Sequence, residues 1–218
     1  MENTQTGEWL LRCLQHTDDA DGIQALAQRT AAEWESIAQL ATVWGVSPLL
    51  YDRLQHTPVA AANLPPAVQA RLRQAYHANT WRNLQIMQQL MTLLKHLNAA
   101  NIPVIALKGC HLANFVYPAL AVRTMSDIDL LVKPADVPTA EKLLQEMGYT
   151  LYGEAPLLRW FREKHYHLSF KPQAQGAAIE LHWHIYPTEA AYGLAIEDLW
   201  QRAPHKTLGS AKLQVLAL

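Results

Sequence analysis

Residues 179–185 read Ile-Glu-Leu-His-Trp-His-Ile, with strict alternation of apolar and polar side chains. In an extended chain successive side chains point to opposite faces. Ile179, Leu181, Trp183 and Ile185 would then share one face, and Glu180, His182 and His184 the other. A helix would scatter both sets around its axis, so the pattern predicts a strand over Ala178–Ile185. Residues 127–132, Asp-Ile-Asp-Leu-Leu-Val, carry a second such signal. There Asp127 and Asp129 project together, while Ile128, Leu130 and Val132 face an apolar layer. Two carboxylates leaving one strand side by side repel each other. The usual compensation is a shared divalent cation with oxygen ligands, most naturally Mg²⁺. The plainer reading is a pair of solvated aspartates at a strand end and a solvated glutamate on an edge strand. Glu180 joins the pair only if the two strands are neighbours, which neither pattern specifies.

The chain changes texture near residue 100. Before it the sequence is rich in Ala, Gln and Leu, and the spacings Trp34–Ile37–Ala38–Ala41 and Leu90–Leu94–Leu97 are helical. Pro65-Pro66 can open a long helix over 66–99, because an early proline loses no hydrogen bond it would have made. Residues 1–100 thus predict an all-α region, with Trp9, Trp34, Trp44 and Trp81 as packing anchors. Tyr76 belongs with them. After it, short apolar runs alternate with helical ones. Strands are expected at 103–107, 127–132, 149–152, 165–170 and 178–185. Helices are expected at 110–117, from an Asp136 N-cap to Met147 with Gly148 closing it, and at 196–200, before a final apolar segment at 212–218. Residues 101–218 therefore predict an α+β domain with a small mixed sheet.

Length and charge narrow the function classes. A chain of 218 residues holds one large domain or two small ones at roughly 100–200 residues each. Eighteen Lys plus Arg against nineteen Asp plus Glu give a net charge of −1. That argues against bulk-charge gripping of duplex nucleic acid or an acidic membrane. No apolar run reaches the 18 or so residues of a membrane span. The first ten residues lack the form of a signal peptide. Cys13 and Cys110 are too few and too far apart for a disulfide framework. Reduced thiols and a cytoplasmic location are the expectation.

One more element bears on chemistry. Ala106-Leu107-Lys108-Gly109 runs a strand into a helix through a glycine. Such junctions let the backbone approach a phosphate and offer it free helix N–H groups, with Lys108 adding a positive charge.

The order strand–Lys-Gly–helix, then Asp-Ile-Asp, then one acid on a later strand resembles the nucleotidyltransferases of the DNA-polymerase-β-like superfamily. Leu107–Gly109, Arg123–Val132 and Ile179–Trp183 are similar to its uncharacterised nucleotidyltransferase branch. Trp34–Leu54 is similar to that branch's helical lead-in, so the likeness runs from about residue 34 to the end. The resemblance implies that Asp127 and Asp129 hold two Mg²⁺ ions bridging nucleotide phosphates. It implies that Glu180 completes the triad and helps activate an acceptor hydroxyl, in transfer of a nucleoside monophosphate from an NTP with release of pyrophosphate. The resemblance implies that Gly109 and Lys108 stand at the phosphate turn and that Ser126 joins them in binding the nucleotide. Lys replaces a glycine before Gly109, and Cys110 stands where Ser is usual, which shifts phosphate binding toward the charges of Lys108 and Arg123. The gap from Gly109 to Asp127 also exceeds that of compact members. Proteins of this kind usually continue into a further helical region. A chain ending at 212–218 is thus either a short member or one whose acceptor pocket is only partly included. The acceptor, a small molecule, peptide or protein, is not encoded in any motif.

Two other readings compete. His165 with His167, and His182 with His184, form two His-x-His pairs near Glu180, which could build a Zn²⁺ site for a hydrolase. The bland alternative has His167 and His182 lining the nucleotide pocket or bonding the carboxylates, with His165 and His184 simply exposed. A nucleotide-binding module without turnover is the third reading. The basic, aromatic run Arg159–Lys164 is best taken as a surface helix turn.

Overall fold

The computed structural model describes residues 2–15, 20–57, 62–187 and 195–217. It combines helices at the N-terminus with a seven-stranded mixed sheet, an α+β fold. Two compact units result, Met1–Asn83 with Tyr117–Thr124 and Leu84–Val116 with Met125–Leu218.

In the first unit, α1 (Glu2–Leu14), α2 (Ala20–Ala27), α3 (Ala31–Val43), α4 (Ser47–His56) and the start of α5 (Pro66–Ala99) enclose a core. Leu10, Trp34, Ile37, Leu50, Leu54 and Leu72 form its centre. Helix α3 begins with a full capping box, since the Thr30 side chain accepts from the Glu33 N–H while the Glu33 carboxylate accepts from the Thr30 N–H. Helix α5 starts at Pro66, as the Pro-Pro pair predicts. The tryptophan expectation holds only in part. Trp34 is fully buried and Trp9 packs against the core, but Trp44 and Trp81 are 51% and 66% exposed. Trp44 sits at the C-cap of α3, where the helix ends and its face turns outward. Tyr76 meets the Tyr51 ring at 5.2 Å, a packing contact.

The second unit is built on β1 (Ile105–Ala106), β2 (Asp127–Leu131), β3 (Tyr149–Leu151), β4 (His167–Pro172), β5 (Ala178–His182), β6 (His205–Leu208) and β7 (Ala211–Val215). Their order is β3-β4-β5-β2-β1-β7-β6. Helices α6 (Lys108–Phe115), α7 (Val137–Glu146), α8 (Ala155–Lys164) and α9 (Ile196–Arg202) connect them. Strand β2 lies near the middle, antiparallel to β1 and parallel to β5. Its apolar face is fully buried through Ile128, Leu130 and Val132. The parallel partner needs a long crossover, which α7, β3, α8 and β4 supply. Gln89 of α5 fixes the entry to β5, donating to the Ala177 carbonyl at 2.8 Å and accepting from its N–H at 2.9 Å.

Several boundaries differ from the sequence expectation. Strand β5 stops at His182 rather than Ile185, because β2 and β4 both run out there. The N–H groups of Trp183 and His184 instead donate to the Tyr166 carbonyl at 3.0 and 3.4 Å. His165 caps α8 and precedes β4. The hairpin β6–β7 was expected only as an apolar tail; β6 is exposed along most of its length and gives no alternating signal. Asp136 sits at the N-cap of α7 but makes no side-chain cap bond, since a single 3₁₀ turn at Pro134–Asp136 leads into the helix.

Candidate active site

The parallel pairing of β2 with β5 sets Asp129 directly opposite Glu180. The alternation that sends Asp127 and Asp129 to one face therefore delivers all three acids to one place. Their carboxylate oxygens lie within 4.8 Å of one another. Asp129 is fully buried, while Asp127 and Glu180 are partly accessible. Ser126 Oγ donates to Asp127 Oδ1 at 3.3 Å.

Lys108 meets this cluster from the other side of β2. The Leu107 N–H donates to the Asp129 carbonyl at 3.0 Å, which holds the β1–α6 junction against β2. Lys108 itself has φ +40, a left-handed conformation uncommon outside glycine. That turn carries its Nζ to 2.5 Å from Asp129 Oδ1 and 2.9 Å from Glu180 Oε2. The ammonium is the internal counter-charge of the triad. Gly109 follows, and a Cβ there would stand 3.0 Å from Met125 Cγ, so a side chain at that position would displace Met125. Helix α6 has no side-chain N-cap, so no capping side chain occupies its first N–H groups. Cys110 is buried and its thiol is pushed up to about 12 by desolvation, so it stays a neutral thiol.

Two histidines complete the constellation. His182 Nε2 lies 3.1 Å from Asp129 Oδ1 and 3.3 Å from Glu180 Oε2, with the ring 1% exposed. His167, opposite His182 on β4, places Nε2 3.8 Å from Glu180 Oε1. The two expected His-x-His pairs thus each contribute only one member. His184 Nδ1 lies 3.0 Å from the Tyr186 carbonyl, and the His165 ring stacks on Tyr166.

The electrostatics follow from these contacts. Hydrogen bonding to His182 holds the Glu180 carboxyl far below the usual range, and the bond from Lys108 reinforces it against desolvation. Burial opposes charge on Lys108 and on His182, but their bonds to Asp129 and Glu180 prevail and raise both. Asp127 moves the other way: desolvation, then repulsion by Asp129 and Glu180, raises it. His167 is lowered to about 4 by desolvation, so it is neutral near pH 7.

Asp129 Oδ2 is buried without a hydrogen-bond partner. An orphaned carboxylate oxygen of this kind is costly, and a hard cation held by oxygen ligands would satisfy it. The donor set of Asp127, Asp129 and Glu180 fits Mg²⁺.

The sequence model of a family described as uncharacterised nucleotidyltransferase matches residues 30–218. The chain belongs to that family. No curated protein and no solved structure matches it. Membership in the uncharacterised nucleotidyltransferase family supports a general nucleotidyltransferase role, with an NTP as the implied substrate. Among the described residues no helix is long and apolar enough to cross a membrane.

Of the residues singled out in the sequence, Lys108, Gly109, Ser126, Asp127, Asp129, His167, Glu180 and His182 share the second unit around β2 and β5. Arg123 belongs to the first unit, where its guanidinium donates to the Thr124 carbonyl at 3.0 Å. In the run Arg159–Lys164, Arg159 pairs with Glu163 and Arg162 with Glu141 on the surface of α8, which fits the surface-helix reading. Gln89 was missed, because a lone glutamine on a helix carries no sequence signal. So was the role of Lys108 as counter-ion, which only the pairing of β2 with β5 creates.

Proposed function

We propose that this protein transfers a nucleoside monophosphate from an NTP to a hydroxyl acceptor, releasing pyrophosphate, with Mg²⁺ held by Asp127, Asp129 and Glu180. The observation carrying the proposal is the convergence of three carboxylates on two adjacent parallel strands, beside a Lys-Gly turn that opens a helix. Bound Mg²⁺ supplies charge neutralisation and a template for the attacking and leaving oxygens of an in-line displacement.

The chain's own residues do the positioning. The strand pleat places Asp127 and Asp129 on one face, so the backbone needs no rearrangement at the moment of reaction. His182 anchors Asp129 and Glu180 together. Glu180 stays ionised at every physiological pH, so it attracts the acceptor hydroxyl as a hydrogen-bond acceptor and orients it toward phosphorus. Lys108, 55% exposed, can exchange its carboxylate partners for the nucleotide's phosphates once those carboxylates bind a cation. The first N–H groups of α6 receive the same phosphates, and Gly109 lets the start of that helix pack against Met125. Arg123 is proposed as a second phosphate cation on sequence grounds alone.

The test uses the full chain, Mg²⁺ and a panel of hydroxyl acceptors, with NTP labelled at the α or at the γ phosphate. Transfer predicts α label in the product and stoichiometric pyrophosphate, both lost in Asp127→Asn and Asp129→Asn. Label arriving from the γ position would replace the reading with phosphoryl transfer. Tight NTP binding with no product on any acceptor would favour a nucleotide-binding module.

A further inference from the structure

Glu180 belongs to two different sets of metal-ligand atoms. One is the oxygen-only set with Asp127 and Asp129; the other is His167, Glu180 and His182, whose ligand atoms also lie within 4.8 Å of one another. The second set comes from the ladder between β4 and β5, where His167 pairs directly with His182. Period-2 alternation then puts Glu180 on the same face as His182, one pleat away.

The geometry of that set suits a borderline transition ion. Bonds of roughly 2.0–2.1 Å in a tetrahedral site require ligand atoms about 3.3–3.5 Å apart. His182 Nε2 stands 3.3 Å from Glu180 Oε2, and His167 Nε2 stands 3.8 Å from Glu180 Oε1. Both contacts use the same ring nitrogen, although His182 Nε2 also lies 3.1 Å from Asp129 Oδ1, a contact that a bound ion would replace. Neighbouring rings pack against them: the His167 and His182 centroids are 4.8 Å apart, and Tyr166 lies 5.8 Å from His182. The His167 ring keeps 15% of its side chain accessible, which leaves an approach for an ion, whereas His182 is sealed behind it. Two imidazoles and one carboxylate favour Zn²⁺ or Co²⁺ over Mg²⁺, and three carboxylates favour the reverse.

We propose that His167, His182 and Glu180 form a second cation position, selective for a Zn²⁺-class ion, which shares Glu180 with the oxygen-only triad. Sharing makes the two positions antagonistic. A Zn²⁺ ion on the imidazole side withdraws Glu180 from the triad, so zinc opposes the Mg²⁺-dependent activity. The antagonism rests on the nucleotidyltransferase reading; the binding of zinc does not.

The experiment uses the untagged, chelator-treated full chain. Calorimetric titration with Zn²⁺ should give one ion per chain. His167→Ala should weaken it at least tenfold, Glu180→Gln likewise, and Asp127→Asn should leave it within threefold while removing Mg²⁺-dependent NTP binding. Co²⁺ substitution should give the visible absorption of a low-coordinate site with nitrogen ligands. Should His167→Ala fail to fold, ¹⁵N spectra of the wild-type chain replace it: zinc should move the ring signals of two of the ten histidines. Zinc binding that is lost in Asp127→Asn, or that moves no imidazole signal, overturns the proposal. Zinc binding with these signatures in a chain that shows no NTP transfer would sustain the site and remove only the antagonism.

Discussion

Two clusters of buried polar side chains hold this protein together, and they are made differently. In the first unit Asn79 and Asn83, 4% and 0% exposed, turn their amides onto backbone carbonyls. Asn79 donates to Ala121 at 2.6 Å, and Asn83 donates to Leu120 at 2.6 Å and Arg123 at 2.7 Å. In the second unit Asp129 and His182 are buried equally deeply, but their charged partners are each other, Lys108 and Glu180. The neutral amides satisfy fixed carbonyls and do so at any pH and in any ionic medium. The charged cluster pairs its groups with one another but leaves Asp129 Oδ2 without a partner, so its state changes with protons and cations. The first is an anchor; the second has the responsiveness that catalysis needs.

The comparison breaks most readily at Asp129. Asp129→Asn keeps the shape and removes the charge, and it should lower pyrophosphate-releasing transfer at least about a hundredfold, the scale of a lost metal-held charge contact. Transfer surviving within tenfold would make this cluster an anchor like the other. Asn83→Ala probes the opposite case. The Leu120 carbonyl loses its side-chain donor and the Arg123 carbonyl keeps only the longer bond from Asn79 at 3.2 Å, and urea unfolding should show a loss of about 1–3 kcal/mol, while the Mg²⁺ affinity of the folded fraction stays in place.

A smaller effect separates the two clusters by pH. The folded pKa of His182 is raised above its ordinary 6.5. Its contribution to stability is therefore fully present below the unfolded value and lost as pH rises through the higher folded value. The deficit of His182→Asn in urea melts of the metal-free chain should be largest near about pH 6 and shrink toward about pH 9. The deficit of Asn83→Ala should not vary over that range. Smallest of all is Asp127→Asn. Desolvation and the repulsion of Asp129 and Glu180 disfavour the Asp127 charge, so its removal should raise the melting temperature of the metal-free chain by about 1–3 °C. A fall instead would mean that Asp127 is an anchoring group.

Sequence patterning exposed the strands that carry the acids because each has one fully apolar face. Ile128, Leu130, Ile179 and Leu181 are all buried, so alternation was the imprint of burial itself. Strand ends were less legible, since they depend on where partners stop: Trp183–Ile185 continue the pattern without any strand beside them. The exposed strand β6 buries little and so left no trace. The carboxylates could be paired within 127–129 from the pleat alone, but their meeting with Glu180 depends on which strands are adjacent, a tertiary fact. For the same reason Lys108 read only as a phosphate ligand, whereas the fold first uses it as a counter-ion.

The parallel pairing of β2 with β5 has a consequence for the order in which the protein comes into being. His182 lies 53 positions beyond Asp129, and β3, α7, α8 and β4 are all threaded between them. Local hairpins such as β6–β7 and β4–β5 close short loops and can form early, whereas this contact must wait for a long one to close. During synthesis, Asp127 and Asp129 emerge from the ribosome well before their third acid and its histidine. The nascent chain thus lacks the assembled acidic cluster, which is completed only when the middle of the sheet zips shut.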